Sequence, residues 1–205
     1  MTTRSFSRRR VLQLTGGTTI VGLAGCSGTR SNGDDEHPDD GHDHGDDGHE
    51  GGGHEHDADI GDPSDSATVS MITTDDGDHF DPHVVWVESG GSVSWTNESG
   101  SHSTTAYHTA NDEPGLVPEG AAEWDSGVLS EQGAAFDHTF ETEGVYHYFC
   151  TPHETSGMIG SVIVGRPDPH EQPALADPPS DKPEAVRGKL TKLNERIRDA
   201  LGHTH

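Results

Sequence analysis

In the stretch CTPHETSGM a thiol, an imidazole and a thioether fall close together: His153 lies three residues after Cys150, and Met158 eight after it. These are soft or borderline donors. Two histidines and one cysteine around a single ion, with a weak, long axial methionine, is the set a copper electron-transfer site uses. Structural zinc sites take four Cys/His ligands and do not recruit methionine. The spacing suits a tight loop between two strands, with Pro152 stiffening the turn and Gly157 letting the chain bend so that Met158 points back. One more histidine must come from elsewhere. His102, just after the strand expected to end at Asn97, is the first candidate, and His108, deeper in the following loop, is the second. His138 and His147 alternate with apolar strand positions and are expected to face solvent. His79 and His83 flank Pro82 and are expected at the surface.

The elements that must position these residues lie in about half of the chain. Of 205 residues only 28% are hydrophobic, 27 are Gly, and the mean hydropathy is −0.77. Too little apolar surface is present to fold the whole length compactly, so the core is expected within residues 66–165. There ATVSMIT alternates apolar and polar positions, and HVVWVESGGSVSWTN reads as two strands around the Glu88–Gly91 turn. AAFDHTFETEGVYHYFC repeats the pattern with a turn at Glu143–Gly144, and MIGSVIVG closes it. Short strands, Gly-rich turns and no helical periodicity predict an all-β domain, an antiparallel β-sandwich.

The flanks have other chemistry. Residues 1–26 read as a Tat-type signal: Arg8 and Arg9 form a twin-arginine pair, a short apolar stretch follows, and Leu23-Ala24-Gly25-Cys26 resembles a lipobox, which would make Cys26 a lipidation site. Residues 27–65, rich in Asp, Gly and His, read as a disordered acidic tether. Its histidines (His37, His42, His44, His49, His54 and His56) could bind divalent metals loosely, or be incidental to a spacer. Residues 166–205 begin as a Pro-rich linker. Val186, Leu190, Leu193, Ile197 and Leu201 then mark one face of an amphipathic helix, with Pro183 in its first turn and Asp181 as a candidate N-cap. That helix could dock on the domain, on a partner or on a membrane surface, or stand as a solvated tail.

Charge bounds the partners. The net charge is −25, and no Lys or Arg occurs from Ser31 through Gly165. Phosphate neutralisation needs a basic surface, so nucleic acid is excluded as a partner. Such an acidic surface suits a very salty medium that screens self-repulsion, or a cationic docking partner. With two cysteines outside the cell, a disulfide is the default. If Cys26 carries lipid, Cys150 is alone, and a metal would protect it from oxidation.

Residues 66–165 resemble a cupredoxin of the plastocyanin type, closest to the halocyanins, the small blue copper proteins of haloarchaea. The resemblance rests on HFDPHVVWVESGGSVSWTN, on Ser101-His102, and on GVYHYFCTPHETSGM with its Gly-x-Tyr-x-Phe/Tyr-x-Cys run and Cys-x2-His-x4-Met loop. It implies a Greek-key β-sandwich and one type 1 copper. It implies Cys150, His102 and His153 in the equatorial plane, Met158 as axial contact, and His153 as the electron's exit, ringed by Pro152 and other apolar residues. Many members of the family have Asn after the first histidine, where it ties the two ligand loops together. Here Ser103 stands there, and its hydroxyl could make part of that link. The insert at 107–123 is long for the family. The implied function is a non-enzymatic, monomeric, membrane-anchored electron carrier on the outer face of the cytoplasmic membrane. Its donor and acceptor would be membrane redox proteins, with no small-molecule substrate. The alternative is extracytoplasmic copper storage or delivery. An oxidase or reductase with a second copper would need a further His-x-His pair near the first site. The pairs His42/His44, His54/His56 and His203/His205 all lie in segments expected to be disordered or terminal.

Overall fold

A computed structural model describes residues 60–202. The signal and lipidation expectations at Arg8, Arg9 and Cys26, and most of the tether, lie outside the described residues. Among those described are seven strands and one α-helix: β1 (Ser64–Thr74), β2 (Gly77–Asp81), β3 (Val84–Asn97), β4 (Thr105–Ala106), β5 (Ala135–Thr139), β6 (Gly144–Phe149), β7 (Ile159–Val164) and α1 (Glu184–Gly202).

The strands run in the order β2-β1-β3-β7-β6-β4, with β5 also on β3. The expected turn at Glu88–Gly91 does not split β3. The strand runs through it with a register shift against β1, between Ser64 opposite Val87 and Ser66 opposite Ser92; Val84–Val87 pair with β7, and Ser92–Thr96 pair with β5. The sheet therefore folds over at that point instead of breaking. The antiparallel expectation holds for β1–β2, β3–β5, β4–β6 and β6–β7. It fails for β1–β3 and β3–β7, which are parallel. Parallel neighbours are joined by long connections that leave no hairpin signature in sequence.

Period-two alternation assigns β6 to two cores. Tyr146, Tyr148 and then Cys150 join Val69, Met71, Phe80, Val87, Trp95 and Val162 between the layers. Val145 and Phe149 point the other way and pack with Trp86, Ile159 and Ile163 against Val186, Leu190, Leu193 and Ile197 of α1. The amphipathic helix is thus docked on the β-sandwich. Pro183 directly precedes the helix, its carbonyl accepting the first helical bond from Arg187 N at 3.0 Å. No described helix is long and apolar enough to cross a membrane.

The solvent-facing expectation for His147 is overturned for the same reason. It is in phase with Val145 and Phe149, and α1 covers that face. His147 is fully buried, with Nδ1 2.8 Å from Ser161 Oγ and Nε2 2.8 Å from Asn194 Oδ1 and 3.0 Å from the Ala174 carbonyl. His138 is half-buried and stacks on Trp124, and His79 and His83 are half-buried too. Burial lowers the His147 pKa to about 4, and burial with nearby Lys189 does the same for His83. The unfolded rings protonate near 6.5, so between these values the unfolded state binds more protons and stability falls as pH falls. Chemical denaturation from pH 7 to 4 should show a loss on the order of 3 kcal/mol from His147. His147→Gln should remove that share of the pH dependence and leave the part due to His83.

Candidate metal centre

Cys150 follows β6 directly, and a 3₁₀ segment, Thr151–Ser156, opens with Pro152 in its first turn. That tight winding folds the loop onto itself. His153 N donates to the Cys150 carbonyl at 2.9 Å, Met158 N to the His153 carbonyl at 3.2 Å, and Cys150 N to the Met158 carbonyl at 3.0 Å. The backbones of all three residues are pinned to one another. Gly157 closes the segment at φ 91°, a left-handed conformation that favours glycine.

His102 comes from the loop after β3, held by reciprocal backbone bonds with Leu129: His102 N to Leu129 O at 3.0 Å and Leu129 N to His102 O at 2.7 Å. The chain that follows the 107–123 insert thus runs back alongside the ligand segment, where Trp124 Nε1 also donates to Thr104 Oγ1. His108 does not approach the cluster. Its Nδ1 accepts from Ala110 N and caps the 3₁₀ turn Thr109–Asn111. Ser103 makes the cross-link that its hydroxyl permits: Thr151 N donates to Ser103 Oγ at 2.8 Å, and Ser103 N points at Cys150 Sγ at 3.3 Å.

His102, Cys150 and His153 bring one ligand atom each to within 4.8 Å of one another. The Nδ1 atoms of the two rings are 3.2 Å apart and lie 3.7 and 3.5 Å from Cys150 Sγ. Cys150 and His102 are fully buried, and Met158 is 1% exposed, in the same core as Cys150. Only His153 reaches solvent, with 26% of its side chain exposed. Two imidazoles and a thiol converging in a largely buried cluster fit a copper ion and would fit few hard cations.

Electrostatics agree with that fit. Burial pushes the Cys150 thiol up, with the Ser103 N–H opposing, so a cation would have to displace its proton. Burial, then the neighbouring His153, lowers the His102 pKa and favours the neutral, ligating ring. The sequence leads one to expect an apolar ring around His153. Its Nε2 faces the Asp78 carboxylate at 3.5 Å. Asp78 lies 75 positions away in sequence, on β2, and its only local mark is its place after the acidic Thr74–Gly77 turn.

Residues 67–165 match the family of copper binding proteins described as plastocyanin/azurin. The chain is 33% identical over 173 residues to halocyanin from Natronomonas pharaonis, across 78% of this chain and 99% of that one. It is 34% identical over 85 residues to the chloroplastic plastocyanin of Tetradesmus obliquus, across 42% of this chain and 57% of that one. Among solved structures, pseudoazurin from Methylobacterium extorquens AM1 superposes with a TM-score of 0.52 at 25% identity, covering 64% of this chain and 98% of that one.

Proposed function

Because the chain belongs to the plastocyanin/azurin family of copper-binding proteins, we propose that it is a membrane-anchored blue copper protein. It carries single electrons between membrane redox proteins on the outer face of the cytoplasmic membrane. The observation that carries the reading is the convergence of His102 Nδ1, His153 Nδ1 and Cys150 Sγ in a buried pocket with a single partly exposed edge.

Bound copper supplies a one-electron couple. The chain supplies everything else. Cys150, His102 and His153 would hold the ion, with Met158 as a weaker fourth donor. The β-sandwich holds them nearly fixed, so little must move when the charge changes. The Ser103 N–H directed at the sulfur tunes the thiolate. A small substrate would have to reach ligands of which Cys150, His102 and Met158 are buried, which supports a carrier and not an enzyme. The exposed edge of His153 is the electron's port. A lipid on Cys26 would hold the protein at the membrane, and the following segment would set its reach.

Copper-loaded, oxidised protein is expected to show an intense visible band, a narrow copper hyperfine splitting and reversible bleaching by ascorbate. A pale, ordinary Cu(II) spectrum would move storage or delivery to the front. Cys26→Ser is expected to shift the exported protein from the membrane to the soluble fraction on cell fractionation. Unchanged membrane retention would sink the lipid anchor.

A further inference from the structure

We propose that Asp78 is a positioning residue for both ligand histidines, holding each imidazole with its proton on Nε2 and its Nδ1 lone pair turned toward Cys150. The inference rests on the copper-binding reading above and assigns the group that keeps the site open to the ion.

The geometry runs through one carboxylate. Asp78 Oδ1 accepts from Thr73 Oγ1 at 2.6 Å, and Oδ2 lies 3.5 Å from His153 Nε2. Thr73 Oγ1 is also 3.1 Å from His102 Nε2, with Asp78 Oδ1 at 4.0 Å from the same nitrogen. A hydroxyl has one proton. Thr73 donates it to Asp78, so its oxygen accepts, and His102 Nε2 is the donor. His153 Nε2 faces an anionic oxygen, which also favours N–H on that side. The contact is tight at His102: a Cβ on Gly100 would meet both Thr73 Oγ1 and His102 Nε2, and Gly100 has φ 81°.

The consequence appears on the other side of each ring. Two Nδ1 lone pairs face each other at 3.2 Å with the sulfur beside them, and no ring N–H lies between. The Cys150 thiol proton can reach one Nδ1 lone pair and leaves the other open, so only a cation satisfies all three donors at once. With the opposite tautomer on either ring, an Nδ1–H would donate to the other Nδ1, and the cluster would satisfy itself without metal. Asp78 therefore favours the open form over the closed one, directly at His153 and through Thr73 at His102, where the Ser99 carbonyl acts in the same sense. Its charge also favours Cu(II) over Cu(I), which lowers the reduction potential.

The test begins on the full-length apoprotein, with ¹⁵N NMR of the imidazoles at a pH where both rings are neutral. Wild type is expected to show Nε2–H on His102 and His153. In Asp78→Asn the introduced amide cannot supply the charge, and at least one ring is expected to move to Nδ1–H. Cu(II) affinity, by competition with a chelator, is expected to fall roughly 10- to 100-fold, and the reduction potential to rise. Thr73→Val is expected to move the His102 tautomer alone. If Asp78→Asn keeps both Nε2–H tautomers with unchanged affinity and potential, the positioning role is overturned. The tautomers are read without copper. Failure of wild type to bind copper would therefore count against the electron-carrier reading, while the tautomer shift would still support the role of Asp78.

Discussion

Cys150→Ser is expected to abolish the blue band of the copper-loaded protein while leaving the β-sandwich folded. The band arises from charge transfer between a thiolate and copper, and Cys150 is the free cysteine of the described residues. A serine hydroxyl does not ionise near neutral pH and is a harder donor, so the variant keeps two imidazoles and loses the anionic soft ligand. The visible absorption should fall to the weak level of ordinary Cu(II), at least tenfold down, and ascorbate should no longer bleach a blue colour. The fold should survive because oxygen is smaller than sulfur and the local backbone bonds, Cys150 N to Met158 O and His153 N to Cys150 O, do not involve the side chain. The Ser103 N–H would still find an acceptor. The stability change should stay within about 2 kcal/mol by thermal unfolding of the apoprotein. A variant that stays blue would mean that the sulfur is not a ligand. A variant that loses both colour and fold would leave the assignment to be decided by Met158 and His153 substitutions.

The ligand loop was legible because its donors sit within nine consecutive residues and its turn residues are local. His102 was legible because it follows a recognisable strand end. What was not legible depends on contacts between distant segments. Asp78 meets His153 across 75 positions. His147 meets Asn194 across 47, and only after α1 has covered the β6 face. A signal for that burial did exist: Val145 and Phe149 flank His147 on one face of the strand, and an amphipathic helix needs an apolar surface to cover. The parallel pairings of β3 had no such local mark. Lys182 had none either. A single basic residue in a Pro-rich stretch gives no hint that it is nearly buried, between Glu113 and Glu154, with its ammonium over the Tyr107 ring.

Removing residues 166–205 is expected to cost more stability than any single substitution, because that segment is half of a core. The α1 face and residues Ala174 and Leu175 cover Val84, Trp86, Val145, Phe149, Ile159 and Ile163. One buried Leu→Ala change, such as Leu193→Ala, is expected to cost about 2–5 kcal/mol. A domain is typically stable by only about 5–15 kcal/mol, so loss of the whole cover should exceed the margin and expose a contiguous apolar patch that aggregates. The metal loop would loosen too. Burial opposes the charge on Lys182, but the hydrogen bonds it donates to Glu113 and Glu154 outweigh that and raise its pKa, so the ammonium persists. Glu154 directly follows His153 and also accepts from Tyr107 Oη at 2.8 Å. Without Lys182, two carboxylates that are each less than a fifth exposed would lose their counter-charge beside the ligand loop. The measurement compares soluble yield and thermal unfolding of residues 60–165 with residues 60–202, with Leu193→Ala in the longer chain as a graded intermediate. The shorter chain should be insoluble or unfolded at 25 °C, and any soluble fraction should show a weakened copper band. Equal stability of the two would show that the helix rests on the sandwich without supporting it, and the ligand loop would then owe its shape to Ser103 and its own backbone bonds alone.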